Sequence, residues 1–239
     1  MQTLTTEHFE TARYPVPLES DEIQLWFFSG PDAVAGATDA CVLTLLAAYL
    51  GCRADALTLR RGEHGKPYLA PPGTLEFNLS HSAGRLLIGI SRQQALGVDI
   101  ERLARVRPAL ELAQRFFHPE EASALAALER DRVLPAFLQL WSCKEAVVKA
   151  LGRGIGYGLD RVAFALDPDG APDRLNVIAG SALTAQEWHI VQLEPVPGWI
   201  GALAWNGPPR QIRAFMPVSA DASAANQHPV AVAGPAQSS

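Results

Sequence analysis

Helical and strand patterns are interleaved along the whole chain, and their order constrains the fold more than any other feature. The first half predicts one amphipathic helix, Asp39–Leu50, among strands such as Ile23–Ser29 and Leu96–Ile100. The second half predicts five short strands after three helices, Pro108–Phe116, Pro119–Arg130 and Val133–Leu151. Pro135 lies in the predicted first turn of the last helix, where proline is tolerated. Because neither half alternates strictly between strand and helix, we expect an α+β fold and not a parallel doubly wound sheet.

The composition excludes several classes of protein. A net charge of -5 over 239 residues argues against nucleic-acid binding through bulk positive charge. Three cysteines without a C-x-x-C spacing predict neither a disulfide framework nor a zinc site. The first ten residues carry acids and no apolar run of signal-peptide length, so we expect a cytoplasmic protein without a membrane partner. From about residue 217 the chain is rich in small residues and proline, which predicts a disordered tail over 217–239.

A pair of carboxylates ends one predicted strand, in the segment 97–101 (GVDIE). Because alternate residues of a strand face the same side, Asp99 and Glu101 project together while Val98 and Ile100 face the packing. Paired carboxylates are hard oxygen ligands that suit Mg²⁺ when it also holds phosphates. The alternative is a strand end that carries two solvated acids.

The predicted helix from 133 to 151 contains two of the only three lysines, whereas 17 basic residues are arginines. Glu145 and Lys149 are four residues apart and share one helix face. Lys144 points about 100° away from Glu145, since each residue advances by that angle. A catalytic carboxylate with a neighbouring cation is one reading of this pattern, and a surface ion pair is the other.

Two further segments carry groups suited to phosphate. His81 leaves a predicted strand between Ser80 and Ser82, where its ring N–H and nearby amides can bind phosphate oxygens. The alternative is a turn histidine with an ordinary hydrogen bond. The segment Lys66-Pro67 follows Gly65 in a polar bend and adds one ammonium group.

Taken in order, these segments resemble the Sfp-type 4′-phosphopantetheinyl transferases. The family's Gly-hydrophobic-Asp matches 97–99, and 41 residues later its aromatic-small-any-Lys-Glu-small-two-Lys pattern matches 141–149. Its upstream Ser-His and Gly-Lys-Pro are similar to 80–81 and 65–67. The resemblance implies two similar α/β subdomains in a pseudo-twofold arrangement, here 1–104 and 105–216, with the active site in the cleft between them.

The resemblance also implies a reaction, in which coenzyme A donates its phosphopantetheine arm to a serine of an apo acyl or peptidyl carrier protein and 3′,5′-ADP is released. The carriers of this family serve fatty-acid, polyketide or nonribosomal-peptide synthesis, and a monomer suffices. The implied cofactor is Mg²⁺, or Mn²⁺ in its place. An alternative is a carrier-protein or nucleotide-binding module that keeps this fold without turnover.

Each site residue has an implied role. The general base is left open between Glu145 and an activated water. The implied metal ligands are Asp99, Glu101 and Glu145. The implied contacts to coenzyme A are Lys149 at the α-phosphate, His81 at a further phosphate, Lys66 and Pro67 near the adenine, and Ser80 and Lys144 as secondary candidates.

The chain departs from many relatives at the 3′-phosphate of coenzyme A. They hold that group with arginines on the N-terminal helix, whereas this chain has no Lys or Arg between Arg13 and Arg53. Arg53, Arg60 and Arg61 are the candidates to replace them.

Overall fold

The computed structural model describes residues 1–30, 38–70, 73, 75–104, 108–181 and 183–218. The helices in this part of the chain are α1 (Thr38–Leu50), α2 (Ala109–Phe116), α3 (Pro119–Ala126) and α4 (Arg130–Leu151). The strands are β1 (Gln2–Thr5), β2 (Phe9–Ala12), β3 (Glu22–Ser29), β4 (Thr58–Arg61), β5 (Pro67–Ala70), β6 (Leu75–Ser82), β7 (Arg85–Arg92), β8 (Leu96–Arg102), β9 (Val162–Leu166), β10 (Pro172–Ile178), β11 (Trp188–Glu194), β12 (Trp199–Asn206) and β13 (Gln211–Pro217). The predicted α+β class is confirmed. No helix of the described ranges is long and apolar enough to span a membrane.

Two larger sheets form the centre of the molecule. One has the strand order β2-β13-β3-β7-β6 and the other the order β1-β11-β12-β8, while β9 with β10 and β4 with β5 form two-stranded sheets. The strict alternation of side chains divides the apolar residues of each large sheet between two faces. On β3, Leu25 and Phe27 pack toward the second sheet, whereas Trp26 and Phe28 pack toward α1. The layers are therefore helix, sheet, sheet and helix.

Helix α4 covers the outer face of the four-stranded sheet and is held very close to β8. A Cβ atom on Gly97 would lie 2.0 Å from the carbonyl oxygen of Ala146 and 2.5 Å from the backbone nitrogen of Ala150. Real Cβ contacts are never this short, so only glycine allows this approach of strand to helix. The glycine of the GVDIE segment therefore fixes the distance between the two elements that carry the predicted site residues.

Strand pairing links the two ends of the chain to the opposite sheets. β1 pairs in parallel with β11, while β13 lies between β2 and β3. β8 pairs with β12, although it precedes the predicted boundary at residues 104 and 105. Each large sheet therefore contains strands from both sides of that boundary, because hydrogen bonding between strands is not limited to neighbours in sequence.

Most of the helices and strands predicted from the sequence are confirmed, and the exceptions are local. β1 and β2 were not predicted, since they are four residues long and gain stability only through pairing with distant strands. The placement of Pro135 in a first turn is wrong, because α4 begins at Arg130 and Pro135 lies inside it. α3 ends at Ala126 and not at Arg130. Of the predicted tail, Pro217 belongs to β13, and residues 219–239 lie outside the described residues.

Candidate active site

The edges of the two large sheets meet where β6 faces β8, and side chains complete the hydrogen bonding there. The backbone N–H of Val98 donates to Oδ1 of Asn78 at 2.9 Å, and that of Ile100 donates to Oγ of Ser80 at 3.3 Å. Both acceptor side chains are buried. The outer edge of β8 is thus hydrogen-bonded to side chains of β6 and not to the backbone of a further strand. This arrangement leaves a gap between the two strands beside Asp99. This role of Asn78 was not predicted from the sequence. The signal for it is an amide side chain within an otherwise apolar strand.

Asp99 is the centre of a buried polar cluster in this gap. Its Oδ1 accepts hydrogen bonds from Ser80 Oγ at 2.8 Å and from Lys149 Nζ at 2.8 Å. Lys149 also donates to the carbonyl oxygen of Val98 at 3.1 Å. Oδ2 of Asp99 is buried and has no hydrogen-bond partner among the residues that the structure describes. One carboxylate oxygen therefore accepts hydrogen bonds from protein donors, whereas the other accepts none from the described residues, although buried polar atoms usually have a partner.

Glu145 faces this cluster from α4. Burial and, to a smaller extent, the negative charges of Asp99 and Glu101 together raise its pKa to about 7, and the positive charge of Lys149 opposes this shift. Oε2 of Glu101 accepts a hydrogen bond from Ser82 Oγ at 3.2 Å. The excess of negative charge around Glu145 is the kind of environment that a cation neutralises.

The predicted site residues, apart from Lys144, line one cavity of about 570 Å³. This volume suits a small-molecule ligand. The predicted residues among its walls are Lys66, Pro67, Ser80, His81, Asp99, Glu101, Glu145 and Lys149. Trp141 lines it as well and packs at 5.7 Å from the ring of Phe137. The structure thus brings together residues that are separated by up to 83 positions in sequence, from Lys66 to Lys149.

One end of this cavity is formed by the bend between β4 and β5. Lys66 Nζ lies 3.4 Å from the carbonyl oxygen of Leu96, and burial lowers the pKa of the Lys66 ammonium, with Glu76 opposing this shift. Arg61, one of the three candidates for the 3′-phosphate, also lines this end, and so does His64, which was not singled out from the sequence. A Cβ on Gly154 would lie 3.1 Å from His64 Cβ, so a glycine lets the segment after α4 close against the bend.

Lys144 is the predicted site residue that the structure places elsewhere. It is completely buried, its Nζ lies 2.6 Å from Oε2 of Glu121, and it donates to the backbone oxygen of Leu159 at 3.1 Å. Burial lowers its pKa, and Glu121 opposes this shift. The 100° step along α4 turns Lys144 toward α3 and β9, away from the cavity that Glu145 faces. Lys144 is therefore not included among the proposed contacts to coenzyme A.

The three predicted metal ligands line the same cavity without forming an assembled metal site. Within the described ranges, no three or more His, Cys, Asp or Glu side chains are grouped closely enough to hold a metal ion. The chemistry of the donors nevertheless fits a hard divalent cation, since Asp99 Oδ2 is buried without a partner among the described residues and the charge of Asp99 acts on Glu145.

Comparisons with known proteins show the family of this chain. A family model described as the 4′-phosphopantetheinyl transferase superfamily matches residues 95–204, which include β8 and α4. The 4′-phosphopantetheinyl transferase HetI of Nostoc is 33% identical over 168 residues, which cover 69% of this chain and 67% of HetI. The 4′-phosphopantetheinyl transferase Sfp of Bacillus subtilis is 39% identical over 108 residues, or 45% of this chain and 47% of Sfp. The chain belongs to the 4′-phosphopantetheinyl transferase superfamily.

The alignments do not reach over the whole of these relatives. A 4′-phosphopantetheinyl transferase of Bacillus subtilis is 34% identical over 55% of this chain and 58% of its own length. The chain thus spans about half to two thirds of the length of the curated relatives it matches.

Proposed function

We propose that this protein transfers the phosphopantetheine arm of coenzyme A to a serine of an apo acyl or peptidyl carrier protein and releases 3′,5′-ADP. The observation that carries the proposal is Asp99, whose Oδ1 is held by Ser80 and Lys149 while its buried Oδ2 has no partner in the described part of the chain. This carboxylate stands beside Glu145 in a cavity of a size that suits a nucleotide-containing ligand. Membership of the superfamily supports the assignment.

The reaction requires displacement at phosphorus with control of charge. The serine Oγ forms a bond to the β-phosphorus, the bond from that phosphorus to the oxygen of the α-phosphate breaks, and 3′,5′-ADP leaves with the electron pair. Lys149, beside Asp99, is positioned to hold the α-phosphate and to stabilise the charge that develops on the leaving group. Glu145 is one candidate to accept the serine proton, and an activated water is the second.

The proposed cofactor is a divalent cation, Mg²⁺ or Mn²⁺, held by Asp99 and Glu145 with Glu101 as a further donor. When bound, such a cation would neutralise charge on the pyrophosphate and on the carboxylates. The orphaned oxygen of Asp99 and the raised pKa of Glu145 support this placement. Ser80 orients Asp99 through its hydrogen bond to Oδ1.

The nucleotide half of coenzyme A is proposed to lie toward the β4–β5 bend, against Lys66, Pro67 and His81. Of the three arginines considered for the 3′-phosphate, Arg61 lines this end of the cavity. Arg53 and Arg61 both form exposed ion pairs, with Asp55 and Asp39, but Arg53 is not part of the cavity wall. We therefore assign the 3′-phosphate contact to Arg61, with His64 beside it.

Replacing Arg61 by alanine is expected to raise the KM for coenzyme A about tenfold, since a charge-assisted contact with phosphate contributes on the order of 1.5 kcal/mol. The KM for 3′-dephospho-coenzyme A, which lacks the phosphate, should change little. Steady-state kinetics with both substrates measure the difference. Arg60→Ala is the matched control, because Arg60 precedes Arg61 on β4 and therefore faces the other side of that strand. An equal loss with both substrates would remove Arg61 from the 3′-phosphate site.

The proposed architecture is of two similar halves in a pseudo-twofold arrangement, with the active site at their junction. In support, α1 packs on the outer face of the five-stranded sheet and α4 on that of the four-stranded sheet. The proposed halves correspond to 1–104 and 105–216. The strands β1 and β8 of the first half join the four-stranded sheet, and β13, near the end of the second half, joins the five-stranded sheet. The cavity lies where β6 and β8 meet.

Release of 3′,5′-ADP tests the proposed function. We expect the protein to form it from coenzyme A only when an apo carrier protein is present, and chelation of divalent cations by EDTA to stop its formation until Mg²⁺ is restored. Chromatography of the nucleotide products gives the measurement. Release that is independent of the carrier would indicate hydrolysis of coenzyme A and contradict the proposed transfer.

A further inference from the structure

A fully buried ion pair, formed by Lys144 and Glu121, lies outside the candidate active site and is used by no step of the proposed reaction. The side chains are 0% and 2% exposed, and Nζ lies 2.6 Å from Oε2. Replacing both members of such a pair by uncharged groups of similar shape is often neutral or stabilising, because the cost of burying two charges offsets their attraction. Stability alone therefore does not explain why charged groups occupy this position.

The ammonium group of Lys144 ties α4 to the chain that leads into β9. Besides Glu121, it donates to the backbone oxygen of Leu159 at 3.1 Å and to that of Val162. It also lies 4.9 Å from the centre of the ring of Phe117. All three ammonium hydrogens thus have an acceptor, so the position of the side chain is fixed in several directions.

The carboxylate of Glu121 extends the same connection to two other elements. Its Oε1 accepts the backbone N–H of Phe164 on β9 at 2.7 Å, and its Oε2 accepts that of His118 before α3 at 3.0 Å. The pair therefore joins α3, α4 and β9 through one set of charge-assisted bonds, which are about twice as strong as neutral ones.

The position on α4 that carries this ion pair, Lys144, is adjacent in sequence to the active-site residue Glu145. Lys144 precedes Glu145 by one residue, and the two side chains leave the helix about 100° apart. At a radius of about 5 to 6 Å, a rotation of the helix by about 10° would move a side-chain tip by about 1 Å. A displacement of about 1 Å in a catalytic group can lower the rate on the order of 100-fold.

We propose that the Lys144–Glu121 pair fixes the rotation of α4 about its own axis and thereby positions the side chains of Glu145 and Lys149 toward the reacting phosphates. The expected loss of kcat rests on the proposed function, whereas the expected rotation of α4 does not. Lys144 and Glu121 touch neither substrate nor reacting atoms, and they act through the helix.

The decisive variant replaces both charges, as Lys144→Met with Glu121→Gln, because each single substitution leaves a buried charge unpaired. Met fills the volume of the lysine stem, and Gln keeps one acceptor oxygen, which can serve one of the two backbone N–H groups that Glu121 accepts. We expect the double variant to fold with a melting temperature close to that of the wild type, while kcat per folded molecule falls at least tenfold. The KM for coenzyme A should change less, since most of its proposed contacts lie on β4 to β6.

Leu140→Val is the matched control, because Leu140 lies one turn earlier on the same buried face of α4. It should lower the melting temperature and leave kcat unchanged. If the double variant is destabilised, kcat is measured well below its melting temperature and corrected for the folded fraction found by circular dichroism. A corrected kcat equal to that of the wild type would overturn the proposal.

A second readout is independent of activity and separates the positioning role from the proposed function. In the double variant, the backbone amide NMR signals of residues 149–151, more than one turn beyond Lys144, and of Gly97, which packs against Ala146 and Ala150, should shift relative to the wild type, as expected for a rotated helix. The Leu140→Val control should leave these signals in place. Shifts confined to the immediate surroundings of residues 121 and 144 would overturn the proposal even if no transfer activity were found.

Discussion

Lys149→Ala is expected to lower kcat by roughly 100- to 1,000-fold, because a positioned cation beside a developing charge supplies several kcal/mol of transition-state stabilisation. Lys149 Nζ lies 2.8 Å from Asp99 Oδ1 and in the wall of the cavity, so its loss removes the cation that pairs with Asp99. The KM for coenzyme A should rise less than kcat falls, since other cations line the same cavity. Steady-state kinetics with coenzyme A and carrier protein varied separately give both quantities.

Two variants make this result specific. Arg153→Ala removes an exposed cation four residues after Lys149 and outside the cavity lining, so we expect kcat near that of the wild type. Lys149→Arg keeps the charge but replaces a compact ammonium by a larger planar group, so we expect only partial activity. A Lys149→Ala variant that folds normally and keeps wild-type kcat would remove Lys149 from the reaction.

Asp99→Asn is expected to have an effect of similar size through a different cause. The amide keeps the shape of the side chain and an acceptor for Ser80, but it removes the negative charge and one carboxylate donor from the proposed cation site. We expect turnover to fall by roughly 100- to 1,000-fold, which corresponds to about 3 to 4 kcal/mol.

Binding of Mn²⁺, followed by its electron paramagnetic resonance signal, provides a second measurement for this variant. The wild type should bind Mn²⁺ in the presence of coenzyme A, and Asp99→Asn should bind it much more weakly. Melting curves serve as the control for folding. Unchanged Mn²⁺ affinity in a folded variant would show that Asp99 is not a ligand of the cation.

Local patterns in the sequence were sufficient to predict the residues on β8 and α4. The alternation along GVDIE places Asp99 and Glu101 opposite Val98 and Ile100, and the latter two are buried in the core between the sheets. The helical spacing separates Lys144 from Glu145, and the structure places the two on different sides of α4. These features depend only on the geometry of one strand or one helix, which is why the sequence reveals them.

Features that depend on contacts between distant segments were not predictable in this way. Glu121 is separated from Lys144 by 23 residues, and only the packing of α3 on α4 makes them partners. Arg61 and His64 reach the cavity because the bend after β4 packs against Gly154, some ninety residues later. The pairing of β1 with β11 likewise has no signal in four residues of sequence.

The mass of a carrier protein after incubation with this protein, coenzyme A and Mg²⁺ tests the central claim most directly. We predict that an apo acyl or peptidyl carrier protein gains the mass of one phosphopantetheine group, and that a carrier with alanine in place of the acceptor serine gains none. A protein that binds coenzyme A in calorimetry but leaves the mass of both carrier types unchanged would be a binding module, and the proposed transferase activity would be contradicted.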